Sequence, residues 1–161
     1  MNQDSGGPSV NPRIRTGTVA VVVGLLIALG ASACYPTSSS GQQAADAAAT
    51  QLGAPYSYGG ASPSTGFDCS GLTMWSWKQA GVTIPRTATD QYWATTRVTR
   101  QELQPGDLVF YGTSSADIQH VGIYVGNGYM IDSPNPSTTV EKVNVDQWWI
   151  DMRFAFGRVN A

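Results

Sequence analysis

The chain has 161 residues, a formal net charge of −2 and charged side chains at only 12% of positions. It has no basic cluster, which excludes nucleic acid as a partner, since a polyanion rewards clustered Lys and Arg. The length suits one domain, and 42% hydrophobic residues, with 5 Trp, 7 Tyr and 4 Phe, supply a sizeable core.

At the N-terminus, Arg13 and Arg15 precede an uncharged run from Thr16 to Cys34. A positive flank, an apolar centre and the small residues Ala31-Ser32-Ala33 together predict a secretory signal. The run is about 17–19 residues long, near the lower limit for spanning a bilayer. It has three possible fates: cleavage after Ala33, retention as a membrane anchor, or lipidation at Cys34. Against the last, Ala31 stands where a lipoprotein signal prefers Leu. All three export the C-terminal part of the chain. The expected organisation is therefore residues 1–34 as signal peptide or anchor, 35–42 as linker and 43–161 as the folded domain.

Gln43 to Leu52 is Ala-rich without Gly or Pro and predicts a helix, stopped by Gly53 and Pro55. The stretch 55–67 is a loop rich in Gly, Pro and Ser. A second helix is expected from Cys69, with Asp68 as N-cap and Gly81 just past its end. Leu72, Met74, Trp75 and Gln79 mark its expected buried face. A short helix comes next, from about Ala88. Strands are then predicted over Asp107–Tyr111, 120–126, 129–133 and Arg153–Val159, with a turn at Pro105-Gly106. Helices first and antiparallel strands later argue for an α+β fold.

Beyond the signal, Cys69 is the only thiol, so no internal disulfide can form. A solitary buried cysteine more naturally sits mid-helix on the apolar face. Cys69 instead falls at a helix start, where the partial positive charge and free N–H groups favour a thiolate and can hold an oxyanion. A cysteine nucleophile needs a base, and His120 is the only histidine in the chain. A third group usually orients the imidazole. A three-residue hairpin loop, Gly126-Asn127-Gly128, would set Gly122 opposite Asp132 and bring Asp132 diagonally beside His120. A two-residue loop, Asn127-Gly128, would put the two on opposite faces. Asp117 and Asp146 are reserve candidates.

PYSYGG (55–60), GFDCSGL (66–72), IPRT (84–87) with Gln91 after it, LQPGDLVFY (103–111) and HVGIYVGNGYMI (120–131) occur in this order. Together they resemble the NlpC-type cell-wall cysteine peptidases, over a span of about Ala44 to Val159. The resemblance implies a papain-like α+β fold with the nucleophile at a helix start against a small antiparallel sheet. It implies hydrolysis of peptidoglycan stem peptides, usually between the side-chain carboxyl of D-glutamate and a diamino acid. Carried over, Cys69 is the nucleophile and His120 the base. Tyr56 matches a tyrosine that assists at the oxyanion or substrate, and Asp68 and Ser70 match substrate contacts. Arg86 is either a partner for a stem carboxylate or a solvated loop charge. At the third catalytic position the family usually carries His, and in some members Glu, Gln or Asn. Asp132 stands there in this chain, one methylene shorter than Glu, so reach decides its role.

Two other functions fit the same residues: an amidase cutting between muramic acid and L-alanine, and a catalytically weak wall-peptide-binding domain. No cofactor is expected, and one His with one exported Cys does not build a metal site. The expected partners are peptidoglycan stem peptides, with membrane association through residues 16–34 only, and the expected state is a monomer.

Overall fold

The computed structural model describes residues 39–146 and 153–161; the expected signal or anchor, with Cys34, lies outside the described residues. Helix α1 (Ser40–Ala49) begins where the Ser39 hydroxyl accepts the Gln42 N–H at 3.2 Å. It starts three residues before the expected Gln43 and ends before Leu52, so part of the expected linker is helical. Ala44, Ala45 and Ala48 are its buried residues, and their small side chains let it lie close on the next helix.

That helix, α2 (Cys69–Gln79), is capped as expected: Asp68 Oδ1 accepts the Gly71 N–H at 2.7 Å, and Gly81 takes φ +81° past the end. Its buried face differs from the expectation. Gly71, Leu72, Thr73, Ser76 and Trp77 are buried, while Met74 and Trp75 are half-buried and Gln79 is exposed. Small residues face inward where the neighbouring backbone comes close. A Cβ built at Gly71 would lie 2.0 Å from the Gly60 carbonyl oxygen. Helix α3 (Ala88–Trp93) starts at the expected place, with Thr87 as N-cap.

Two short strands, β1 (Ala61–Ser62) and β2 (Gly66–Phe67), pair within the loop before α2. The main sheet contains β3 (Thr95–Val98), β4 (Leu108–Ser114), β5 (Asp117–Gly126), β6 (Tyr129–Asp132), β7 (Glu141–Asn144) and β8 (Arg153–Val159). Its order is β3-β8-β4-β5-β6-β7, antiparallel throughout. Leu108 and Phe110 face the helical core with Leu72, Trp77, Val121 and Ile123, while Val109 and Tyr111 face a second cluster with Tyr124, Met130 and Val145. Both faces of the central strands are therefore covered. The edge strands β3 and β7 were not anticipated: TTRV and EKVN carry a charge and no long apolar alternation, which suits exposed edges. Asp107, expected to open β4, instead turns back to accept the Gln104 N–H and pair with Arg158.

The β5–β6 hairpin corrects a second expectation. Gly126 pairs with Tyr129, so the loop is the two-residue Asn127-Gly128, with φ of 54° and 82°. Positive φ at both positions marks the primed turn that matches strand twist. The expected consequence, His120 and Asp132 on opposite faces, does not hold. Val125 is an extra residue bulged out between Tyr124 and Gly126, so Tyr124 pairs with Met130 and Ile123 with Ile131. Continuing that register sets Gly122 opposite Asp132, the arrangement expected only from the longer loop.

The 55–67 loop thus rests on the bare backbone of α2 at Gly71. Gly71→Ala is expected to lower unfolding stability by about 1–3 kcal/mol or more, because a methyl group cannot fit without moving one backbone or the other. A denaturation midpoint unchanged from wild type would show that the loop is not seated there.

Candidate active site

Cys69 is the first residue of α2, reached through a loop that folds back on itself. The Phe67 N–H donates to Pro55 O at 3.1 Å and the Ser57 N–H to Phe67 O at 3.0 Å, which lays Tyr56 alongside the segment leading into Cys69. Ser133, next to Asp132, also donates its hydroxyl to Phe67 O at 2.8 Å. The hairpin and the entry to α2 are joined at that one carbonyl.

His120 on β5 and Asp132 on β6 are 3% and 0% exposed. His120 Nε2 lies 2.7 Å from Asp132 Oδ2, leaving Nδ1 for the Cys69 thiol, with which the ring also hydrogen-bonds. Tyr111, directly across from His120 on β4, closes another side of the ring at 5.9 Å between centroids. Burial draws the His120 pKa down, but the hydrogen bonds to Asp132 and Cys69 outweigh it and push it up to about 9. The imidazole therefore holds a proton at neutral pH.

Asp68 takes part in more than the cap. Its carboxylate also accepts the Gly59 N–H at 2.9 Å and both arms of Arg86, at 3.0 and 2.6 Å. Arg86 further donates to Ser70 Oγ at 2.9 Å. The hydrogen bond to Asp68 raises the Arg86 pKa against the opposing effect of burial. Both terminal nitrogens thus contact the two residues flanking Cys69, while the side chain stays partly exposed and lines the cleft. Burial, then the neighbouring Cys69 and Asp68, push the Tyr56 phenol above its ordinary value of 10, so it remains a donor.

These residues line a cleft of about 480 Å³ in which Tyr56, Tyr58, Asp68, Cys69 and Arg86 face Gln119. A second cavity, of about 340 Å³ beside Trp77 and Arg158, is lined by neither Cys69 nor His120. The structure thus brings Cys69, His120, Asp132, Tyr56, Asp68, Ser70 and Arg86 together. It leaves out the reserve candidates: Asp117 bonds Thr113 and Gln119 at the surface, and Asp146 pairs with Arg100. Among the described residues no group of His, Cys, Asp and Glu is arranged to hold a metal, and no helix is long and apolar enough to cross a membrane.

A model of the NlpC/P60 family matches residues 53–157. The chain belongs to the NlpC/P60 family. It is 46% identical over 109 residues to the bifunctional muramidase/DL-endopeptidase CwlT of Bacillus subtilis, covering 66% of this chain and 33% of that protein. It is 44% identical over 108 residues to the probable endopeptidase p60 of Listeria monocytogenes, covering 67% and 22%. The chain therefore spans a third or less of these curated relatives. Among solved structures, the NlpC/p60 domain of the peptidoglycan hydrolase SagA matches with a TM-score of 0.67 at 33% identity, over 74% of this chain and 98% of that one. RipB from Mycobacterium tuberculosis, also named a peptidoglycan hydrolase, matches with a TM-score of 0.64 at 35% identity, over 74% and 64%. The NlpC/P60 likeness establishes the expected papain-like α+β fold.

The raised His120 pKa makes stability depend on pH. The folded value, about 9, lies above the ordinary 6.5, so the contribution is complete below pH 6.5 and is lost as pH rises through 9. Relative to a His120→Gln variant, the wild type is expected to lose on the order of 3 kcal/mol of unfolding free energy across that window. Denaturant titrations from pH 6 to 10 check this; a difference between the two proteins that stays flat with pH would contradict it.

Proposed function

We propose that the chain is an exported cysteine endopeptidase that hydrolyses peptidoglycan stem peptides, with the bond from D-glutamate to the diamino acid as its target. The carrying observation is the line Asp132–His120–Cys69 ending in a cleft, with His120 Nε2 held 2.7 Å from Asp132. The DL-endopeptidase and peptidoglycan hydrolase names of its relatives support the substrate class, and the signal-like run before Cys34 supports export.

The chemistry is set by where the proton sits. In the attacking form the thiol's proton resides on the imidazole, leaving a thiolate beside an imidazolium that Asp132 holds. Cys69 Sγ attacks the stem carbonyl carbon and the carbonyl oxygen becomes an oxyanion. The Cys69 N–H at the start of α2 and the Tyr56 hydroxyl are the donors on that side of the cleft. Collapse of the tetrahedral intermediate breaks the C–N bond, and His120 passes its proton to the departing amine. Water, deprotonated by His120, then attacks the thioester, releasing the carboxyl product and returning the thiol. Every step uses groups of this chain and one water.

Incubation of the full chain with a synthetic stem peptide, read by mass spectrometry, tests the assignment. Cys69→Ala is expected to abolish products, and their masses in the wild type identify the bond. A muropeptide that is instead cut between its muramic acid and L-alanine would replace this reading with the amidase. No products at all from a folded wild type would leave a binding domain. Asp132→Ala is expected to lower kcat by about 100-fold or more, with Asp132→Asn in between, because the ring loses its charged orienting partner. A full rate in Asp132→Ala would remove Asp132 from the site.

A further inference from the structure

Gln91, on α3, comes just after the IPRT motif yet has no place in the chemistry above. Its side chain is 0% exposed. A buried primary amide must find partners for its donors and its carbonyl, or bear the desolvation penalty of each one left over. Gln91 Nε2 donates to Ser70 O at 2.9 Å and to Pro85 O at 2.8 Å, while Oε1 accepts from Thr73 Oγ1 at 2.8 Å. Two carbonyl partners require donors, so the orientation of the amide is determined by its surroundings.

What these partners are matters more than their number. Ser70 is next to Cys69 in the first turn of α2, and Pro85 precedes Arg86. Arg86 in turn binds Asp68 and Ser70 Oγ. The contacts therefore close a ring: from the Ser70 carbonyl through Gln91 to the Pro85 carbonyl, along the backbone to Arg86, and through its guanidinium back to Ser70. A hydrocarbon side chain of the same length would fill the space equally well. It would leave Ser70 O and Pro85 O without this donor and open the ring at both ends.

We propose that Gln91 is a positioning residue for Cys69, holding the first turn of α2 and the Arg86 loop in one fixed relation to the cleft. Displacing the Ser70 carbonyl shifts the first turn of α2, and with it the Cys69 Sγ and N–H at the start of that turn. Misplacement by about 1 Å can cost on the order of 100-fold in rate. The proposal rests on the peptidase reading only for the role given to Cys69.

The test uses the full chain and two readouts: kcat on stem peptide, and the rate of Cys69 alkylation by iodoacetamide at neutral pH, monitored on the Cys69 peptide by mass spectrometry. Gln91→Met keeps length and removes every hydrogen bond. At a temperature where circular dichroism shows it folded, both rates are expected to fall together by about tenfold or more. Val159→Ala, a core truncation on β8, which contributes no residue to the cleft lining, supplies the comparison for lost stability alone and is expected to leave Cys69 alkylation at the wild-type rate. Thr73→Val is expected to lower both rates less severely, and Thr73→Ser, which keeps the hydroxyl, to restore them. A folded Gln91→Met with wild-type alkylation and kcat overturns the proposal. Should Gln91→Met not fold, equal rates in Thr73→Val and Thr73→Ser overturn it instead. Slowed alkylation in Gln91→Met beside a wild type that cleaves no stem peptide upholds the positioning role and removes the peptidase reading.

Discussion

The Asp68 carboxylate is the constraint on which the rest of the site depends. It caps α2 at Gly71, holds the Gly59 N–H of the preceding loop and receives both arms of Arg86. Each contact alone is an ordinary one, worth about 1–3 kcal/mol at most for a charged hydrogen bond. Their convergence on the residue before Cys69 is what matters. A nucleophile at a helix start is useful only if the start cannot fray, and helix ends fray by default. Here the cap, the loop and a cation from another segment all have to move before Cys69 can.

The same logic makes Arg86 a structural partner of the nucleophile before it is anything else. Its guanidinium engages Asp68 on two arms and Ser70 on one, so it braces the start of α2 from the cleft side. The cleft wall beside Cys69 is then a paired Arg86 and Asp68 with the Tyr56 phenol next to it.

How much of this was legible in the sequence depended on the range of the interaction that sets each feature. Asp68, Cys69 and Gly81 are read correctly because caps are decided within four residues. The one-His, one-Cys inventory points to the dyad without any geometry. The edge strands β3 and β7 escape, because partner strands β8 and β6 hold them, not their own pattern. The buried face of α2 escapes for a related reason: Thr73 goes inward because Gln91 receives its hydroxyl, and hydrophobicity carries no trace of that. The hairpin is the instructive case. The Asn-Gly signal is right about a two-residue turn, and the requirement for Asp132 beside His120 is right about the register. Only a bulge at Val125 reconciles them, and a bulge leaves no mark in a binary pattern.

Asp132 itself shows how a short acid reaches the imidazole. The bulge draws β5 and β6 into the register that sets the two residues diagonally, so reach is supplied by backbone and an extra methylene is not needed. The penalty is electrostatic. Asp132 is fully buried, its Oδ1 has no hydrogen-bond donor among the described residues, and its cross-strand neighbour is Glu141, whose own pKa is raised by burial and then by Asp132. A carboxylate there is tolerable only with a cation against it. The imidazolium of His120 is that cation, 2.7 Å away. The raised pKa of His120 is thus the counterpart of that burial: the hydrogen bond to Asp132, joined by the one to Cys69, holds the proton on the ring.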